Sequence, residues 1–270
     1  MSGMETNILK QLSDYARVRV QEAEKTLPLD AVRKQAWELA QNTPEEEKFR
    51  FEKSLSGPGI HFICECKKAS PSKGLIAPEF PYLEIARDYE AAGASAISCL
   101  TEPKWFLGKN EYLREIAKTV SIPVLRKDFT VDPYMIYEAK ALGASAVLLI
   151  CAILDAETIH RWIGICDTLG LSVLVEAHDE GEVQMAADAG ARIIGVNNRN
   201  LKDFTVDIHN AGRLRHFAPA GTIFVAESGI KTRADVEALE ADGVNAVLVG
   251  EQLMRASDRQ AELFKLRGAS

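Results

Sequence analysis

GASAISCL (93–100), GASAVLLI (143–150), GARIIGVN (190–197) and GVNAVLVG (243–250) are variants of one phrase, recurring at steps of roughly 50 residues. Each opens on a glycine suited to ending a helix and runs straight into an apolar, β-branched stretch that reads as a buried strand. Further strand-like runs lie between them at 122–127, 172–176 and 222–227, and a first one occupies 60–67. That makes eight strands. Helix signals fill the gaps. Asp132-Pro133, Asp155, Asp179 and Thr232 supply N-caps, and Gly143, Gly170, Gly190 and Gly243 stop the helices that follow. Alternation over the whole length implies a parallel sheet with right-handed crossovers. An open doubly wound sheet is the competing architecture. Eight units with polar strand ends favour closure, so the expected fold class is α/β, a (βα)8 TIM barrel with an N-terminal helical extension.

The 270 residues suit one barrel domain. Residues 1–55 read as two or three amphipathic helices that belong to it and pack against it, with no Gly/Ser linker between. Thr43-Pro44, with Glu46 three residues past the threonine, predicts a capping box for one of these helices. The odd set of five cysteines (Cys64, Cys66, Cys99, Cys151, Cys166) shows neither metal spacing nor a disulfide framework, so buried packing thiols in a reducing cytoplasm are expected. The N-terminus has no apolar signal core and no run approaches a membrane span. A net charge of −7 argues against a nucleic-acid surface. The expected protein is acidic and cytoplasmic, a monomer with no membrane or nucleic-acid partner.

Function is written at the strand ends. Glu65, Lys127, Glu176, Asn197 and Glu227 each sit where a short apolar run gives way to a turn. A charge is costly in the middle of a buried parallel strand, but the carboxyl end opens into a cleft. Glu65 and Lys67 are two apart and face one side; a structural ion pair explains them as well as chemistry does. The loop Ser70-Pro71-Ser72-Lys73-Gly74 that follows is rich in donors. Arg126 and Asp128 flank Lys127, face the other way and are expected to pair behind the barrel. Two lysines converging on one mouth, with burial added, predict an ammonium whose pKa is pulled toward neutrality. Glu176 and Glu227 bring carboxylates, Asn197 an amide, and Arg199 a rigid fork for a carboxylate or phosphate. The last two strands end in Glu-Ser-Gly-Ile (227–230) and Val-Gly-Glu (249–251). Either glycine alone reads as a turn; together at the seventh and eighth positions they predict a phosphate site. Lys67, Lys73, Lys127 and Arg199 predict a locally basic pocket for a small anionic substrate. His178 lies just past Glu176, within reach of the mouth, but reads better as a solvated loop residue, and the remaining histidines show no ligand spacing. No phosphate-loop or dinucleotide glycine pattern is present, and neither metal nor organic cofactor is expected.

The blocks ICECKKASPSKGLI, SCLTEPKWFLG, VLRKDF, AVLLI, LVEAHDE, IIGVNNRNL, VAESGI and VLVGEQLM, in this order, resemble indole-3-glycerol phosphate synthase. The likeness runs from Phe49 to Arg255 and extends loosely to the N-terminal helices. It implies conversion of 1-(2-carboxyphenylamino)-1-deoxyribulose 5-phosphate to indole-3-glycerol phosphate, carbon dioxide and water, in tryptophan biosynthesis and without a cofactor. It implies catalytic roles for Glu65, Lys67, Lys127, Glu176, Asn197 and Ser228, and substrate contacts from Arg199, Glu227 and Ser70. An aryl pocket falls on Phe106, Phe129 and Leu148, and phosphate contacts on Gly229, Gly250 and Glu251. Some relatives carry serine at the position of Glu251, and Trp105 beside Phe106 leaves two rings eligible for the aryl pocket.

The reaction suits these groups. Ring closure develops negative charge on a ketone oxygen, which Lys127 would protonate. Lys67 and Arg199 would hold the carboxylate that is lost, and Glu65, Glu176 and a lysine are the candidates for acid and base in the dehydration. Two other readings compete. A sugar-phosphate isomerase barrel would share the glycine loops without needing two lysines and an apolar aryl pocket. A catalytically dead scaffold barrel would be expected to have lost some of the charged strand ends, and none is missing.

Overall fold

The computed structural model describes residues 8–200 and 204–268; residues 1–7 and Leu201 of the NNRNL block lie outside the described residues. The eight expected strands are β1 (His61–Cys66), β2 (Ala96–Leu100), β3 (Val124–Lys127), β4 (Ala146–Ile150), β5 (Ser172–Ala177), β6 (Ile193–Asn197), β7 (Ile223–Glu227) and β8 (Ala246–Val249). They form a closed, all-parallel ring in which β8 pairs back onto β1. Both strand faces are buried, which is why the sequence shows continuous apolar runs rather than alternation. Ile63, Leu125, Leu148, Leu174, Ile193, Val225 and Leu248 fill the interior. Their outward-facing neighbours, such as Cys64, Val147, Val175 and Phe224, pack beneath the helices. All five cysteines are buried free thiols, as expected.

In chain order the helices are α1 (Ile8–Thr26), α2 (Leu29–Gln41), α3 (Arg50–Ser54), α4 (Tyr82–Ala91), α5 (Asn110–Thr119), α6 (Pro133–Leu142), α7 (Ala156–Leu169), α8 (Glu180–Asp188), α9 (Asn210–Leu214), α10 (Arg233–Ala241), α11 (Glu251–Arg255) and α12 (Arg259–Arg267). The predicted N-caps form. Asp132 accepts from the Tyr134 N–H at 2.8 Å, Asp155 from Thr158 at 2.7 Å and Asp179 from Glu182 at 2.9 Å. Thr232 and Asp235 make a reciprocal capping box. Gly143 and Gly170 close α6 and α7 in the left-handed conformation that only glycine adopts freely.

The capping box expected at Thr43 does not form. Its hydroxyl donates back to the Leu39 carbonyl at 2.7 Å and accepts from Lys140 Nζ at 3.2 Å, so it finishes α2 rather than starting a helix. The segment after it is a single 3₁₀ turn, Glu45–Glu47, without a side-chain cap.

The three N-terminal helices do different work. α2 lies on α6 and α7 and buries Val32, Ala36 and Ala40 there. α3 closes the amino-terminal end of the barrel: Phe51 and Leu55 join the interior cluster, and the Glu52 N–H donates to Ser172 Oγ at the start of β5. α1 lies at the opposite end, over the strand carboxyl termini. Its Arg19 grips Asp128 with two bonds of 2.6 and 3.0 Å, and its Tyr15 ring meets Trp105 edge-on with centroids 5.6 Å apart. Asp128 and Arg126 do face away from Lys127, 3.8 Å apart and buried.

Candidate active site

Inward-pointing side chains of a (βα)8 barrel stack in layers, each supplied by alternate strands. The layer at the carboxyl end is charged: Glu65 from β1, Lys127 from β3, Glu176 from β5 and Glu227 from β7, all odd strands. Lys127 Nζ lies 3.1 Å from Glu176 Oε2 and 3.2 Å from Glu227 Oε2. Lys67 Nζ lies 2.6 Å from Glu65 Oε1, and Ser98 Oγ donates to Glu65 Oε2 at 3.2 Å. Asn197 Nδ2 donates to Glu176 Oε1 at 3.5 Å, a long bond. Gly195 makes room for this layer, since a Cβ there would run into the Glu227 carboxylate.

The charge states depart from expectation. Lys127 is not depressed, because the carboxylates of Glu176 and Glu227 are the charges nearest to it. Burial alone would lower the Lys127 pKa, but Glu176, Glu227 and Glu65 overcome it and push the value above the usual lysine range. Lys127 is therefore a firmly held ammonium. Glu65 and Glu176 are held below the usual carboxylate value: burial opposes this, but Lys67 and Lys127 around Glu65, and Lys127 and His178 around Glu176, prevail. Glu227 goes the other way, to about 7, because burial and repulsion from Glu176 outweigh the pull of Lys127. Its Oε1 is buried with no hydrogen-bond partner. Glu227 is the group in this layer that exchanges a proton near neutrality.

Above the layer opens a cavity of about 580 Å³. Every site residue expected from the sequence lies on it. Phe106, Phe129, Leu148 and Ile150 form an apolar wall, with the two phenylalanine rings 6.0 Å apart. Phe106, not Trp105, faces the cavity; Trp105 is turned toward Tyr15 and Lys104. Ser70, Lys73, Arg199, Ser228, Gly229, Gly250 and Glu251 form the rim, and Ile8, Leu9 and Leu12 of α1 roof it. The cations expected to make the pocket basic all line it, but they do not stand alone. Lys67, Lys73 and Lys127 each face a glutamate, with Lys73 3.7 Å from Glu251. At Gly250 a further reason for glycine is visible. A Cβ there would meet Glu65 Oε1 at 2.5 Å and Lys67 Nζ at 3.0 Å, so the position guards that ion pair.

Sequence reasoning missed one polar residue and misplaced another. Glu102, fully buried just past β2, accepts the N–H groups of Lys104, Trp105 and Phe106 at 2.8–2.9 Å and so holds the loop that presents Phe106. The signal was the acidic residue in Thr-Glu-Pro (101–103), another charged strand end. His178 is not a solvated loop residue: its Nε2 is buried 3.5 Å from Glu176 Oε1. Among the described residues, no three His, Cys, Asp or Glu side chains are grouped to hold a metal, and no helix is long and apolar enough to cross a membrane.

Comparison with known proteins converges on one family. The family model described as indole-3-glycerol phosphate synthase matches residues 9–266. The indole-3-glycerol phosphate synthase of Ruminiclostridium cellulolyticum is 56% identical over 97% of this chain and 100% of its own length. That of Lachnoclostridium phytofermentans is 48% identical over 96% and 98%. A solved structure of thiamine phosphate pyrophosphorylase from Pyrococcus furiosus superposes with a TM-score of 0.59 at 18% identity, covering 81% of this chain and 96% of that one. At that identity the likeness speaks for the barrel alone. The family match spans the barrel and most of the N-terminal extension, and the charged layer, the apolar wall and the glycine rim all lie within it: the chain belongs to the indole-3-glycerol phosphate synthase family.

Proposed function

We propose that this cavity binds 1-(2-carboxyphenylamino)-1-deoxyribulose 5-phosphate and closes its indole ring, as a carboxy-lyase of tryptophan biosynthesis. The observation that carries the reading is the juxtaposition of an ammonium held by two carboxylates with a wall of two phenylalanines and a leucine. The aryl ring lies against Phe106, Phe129 and Leu148. The phosphate sits on the backbone N–H groups around Gly229 and Gly250–Glu251, at the ends of β7 and β8. Lys67 and Arg199 hold the aryl carboxylate, and Ser70, Asn197 and Ser228 orient the sugar hydroxyls.

The aryl carbon attacks the ketone carbon, and Lys127 gives its proton to the ketone oxygen as the new carbon–carbon bond forms. A lysine held this firmly charged is a weak acid, but proton transfer becomes favourable as the ketone oxygen turns into an alkoxide. Carbon dioxide then leaves and returns its bonding electrons to the ring. Expulsion of the hydroxyl as water needs one more proton donor, and loss of the remaining ring proton needs a base. Glu227, near neutrality, suits the first task, and the ionised Glu176 or Glu65 the second. The reading includes a single domain of residues 1–270 acting as a monomer in the cytoplasm; the closed ring leaves no open sheet edge for a second copy to pair with, and the five buried free cysteines suit a reducing compartment. The test is incubation with the substrate, following indole fluorescence and released carbon dioxide. Equimolar appearance of both supports the reading; an isomerised sugar phosphate with no carbon dioxide overturns it.

A further inference from the structure

His178 lies just past the end of β5, and its ring is enclosed between two carboxylates. Its Nδ1 is 3.0 Å from Glu182 Oε2, and its backbone N–H donates to that same oxygen at 2.8 Å. Glu182 is itself fixed on the first turn of α8, where its N–H donates to the Asp179 cap. The His178 carbonyl accepts from Asn210 Nδ2 at 3.3 Å. The backbone is thus tied on both sides, and Nε2 faces Glu176 Oε1 at 3.5 Å, an ion-pair contact without a hydrogen bond, on the oxygen that also accepts from Asn197 Nδ2. If Nδ1–H donates to Glu182, a neutral ring would turn its Nε2 lone pair toward the Glu176 carboxylate. Only the imidazolium satisfies both neighbours. Burial opposes that charge, but Glu182, Glu176 and Glu227 outweigh it and raise the His178 pKa.

We infer that His178 is a positioning residue for Glu176: the chain Glu182–His178–Glu176 fixes one carboxylate oxygen so that the other meets Lys127, and keeps Glu176 ionised to act as a base. The inference rests on the proposed catalytic use of Glu176. The charged groups around the pair are Glu182 on α8, Glu227 on β7 and Lys127 on β3, with the Cys151 thiol against the Glu182 carbonyl at 3.5 Å. Of these, only Lys127 and His178 carry the positive charge that Glu176 needs.

The experiment is a double-mutant cycle on the full chain, with the carboxyphenylamino-deoxyribulose phosphate as substrate. The variants are His178→Asn, His178→Gln, Glu176→Gln and the double variant His178→Asn/Glu176→Gln. An asparagine amide reaches the place of Nδ1 and serves Glu182 only; a glutamine amide reaches the place of Nε2 and can still donate to Glu176. His178→Asn is expected to lower kcat about tenfold with KM within about twofold, while His178→Gln recovers most of the loss. In the Glu176→Gln background, adding His178→Asn should cost no more than about twofold. Independent, multiplying losses in the double variant overturn the link between the two residues, as does an undiminished kcat in His178→Asn. A Glu176→Gln variant with full turnover overturns the role of Glu176 itself, and the inference with it.

Discussion

Lys127 is where the electrostatics and the chemistry meet. Its ammonium is buried and held by two carboxylates at 3.1 and 3.2 Å, so truncation removes the proposed acid and leaves Glu176 and Glu227 facing each other. Lys127→Ala is expected to lower kcat by about 10²–10⁴-fold with a small change in KM, because the lost interaction belongs to the transition state. Steady-state kinetics check this; retention of more than half the turnover removes Lys127 from the mechanism. Glu227 makes a separate prediction. Its pKa of about 7 stands above the ordinary carboxylate value of 4.5, so the folded state binds an extra proton between those limits. Stability contributed by that proton is present at low pH and is lost as pH rises through about 7. Glu227→Gln keeps the neutral form at every pH. Its stability relative to the parent should therefore rise between pH 5 and pH 8, as read from denaturant midpoints; a constant difference would show that Glu227 is already ionised at pH 5. The sequence placed Lys127 at a strand end but not among its neighbours. Which groups surround it depends on the layering of odd strands around the ring, and that is why its shift was expected in the wrong direction.

The elements themselves were readable, because a strand buried on both faces and a helix between an aspartate cap and a glycine stop are local signals. What depends on distant partners was not. Thr43 looked like the start of a helix but ends one, since the hydroxyl bond to Leu39 and the Lys140 contact favour the earlier element. Of the N-terminal helices, α1 roofs the cavity, while α2 completes the outer core against α6 and α7. Removal of residues 1–26 should therefore leave a folded barrel by circular dichroism, with KM raised about tenfold or more. Asp128 would lose Arg19 but keep Thr101 Oγ1 and the Phe129 N–H. A truncated chain that does not fold would make α1 a structural element instead. At the opposite end, Phe51 of α3 is fully buried in the interior cluster. Phe51→Ala should cost about 3–5 kcal/mol in equilibrium unfolding with kcat of the folded fraction unchanged. A loss under about 1 kcal/mol would mean that α3 does not close the barrel.

At the scale of the molecule, closure separates stability from function. One end of the ring is plugged by Phe51 and Leu55, and the other carries a charged layer beneath a cavity of about 580 Å³. The separation was legible in the sequence because Glu65, Lys127, Glu176, Asn197 and Glu227 all fall at strand carboxyl ends. Glu102 escaped notice and His178 was placed in solvent, since both lie just past a strand and turn back through bonds to nearby backbone or side chains, which periodicity does not register. The central claim is that the apolar wall takes the aryl ring while the rim after β7 and β8 takes the phosphate, with Lys127 between them. The most direct measurement is a crystal structure of the protein with indole-3-glycerol phosphate bound. The account predicts the indole against Phe106, Phe129 and Leu148, and phosphate oxygens about 2.7–3.2 Å from backbone nitrogens around Gly229 and Gly250. A phosphate held instead by Lys67 and Arg199, with the indole away from the phenylalanines, would contradict it.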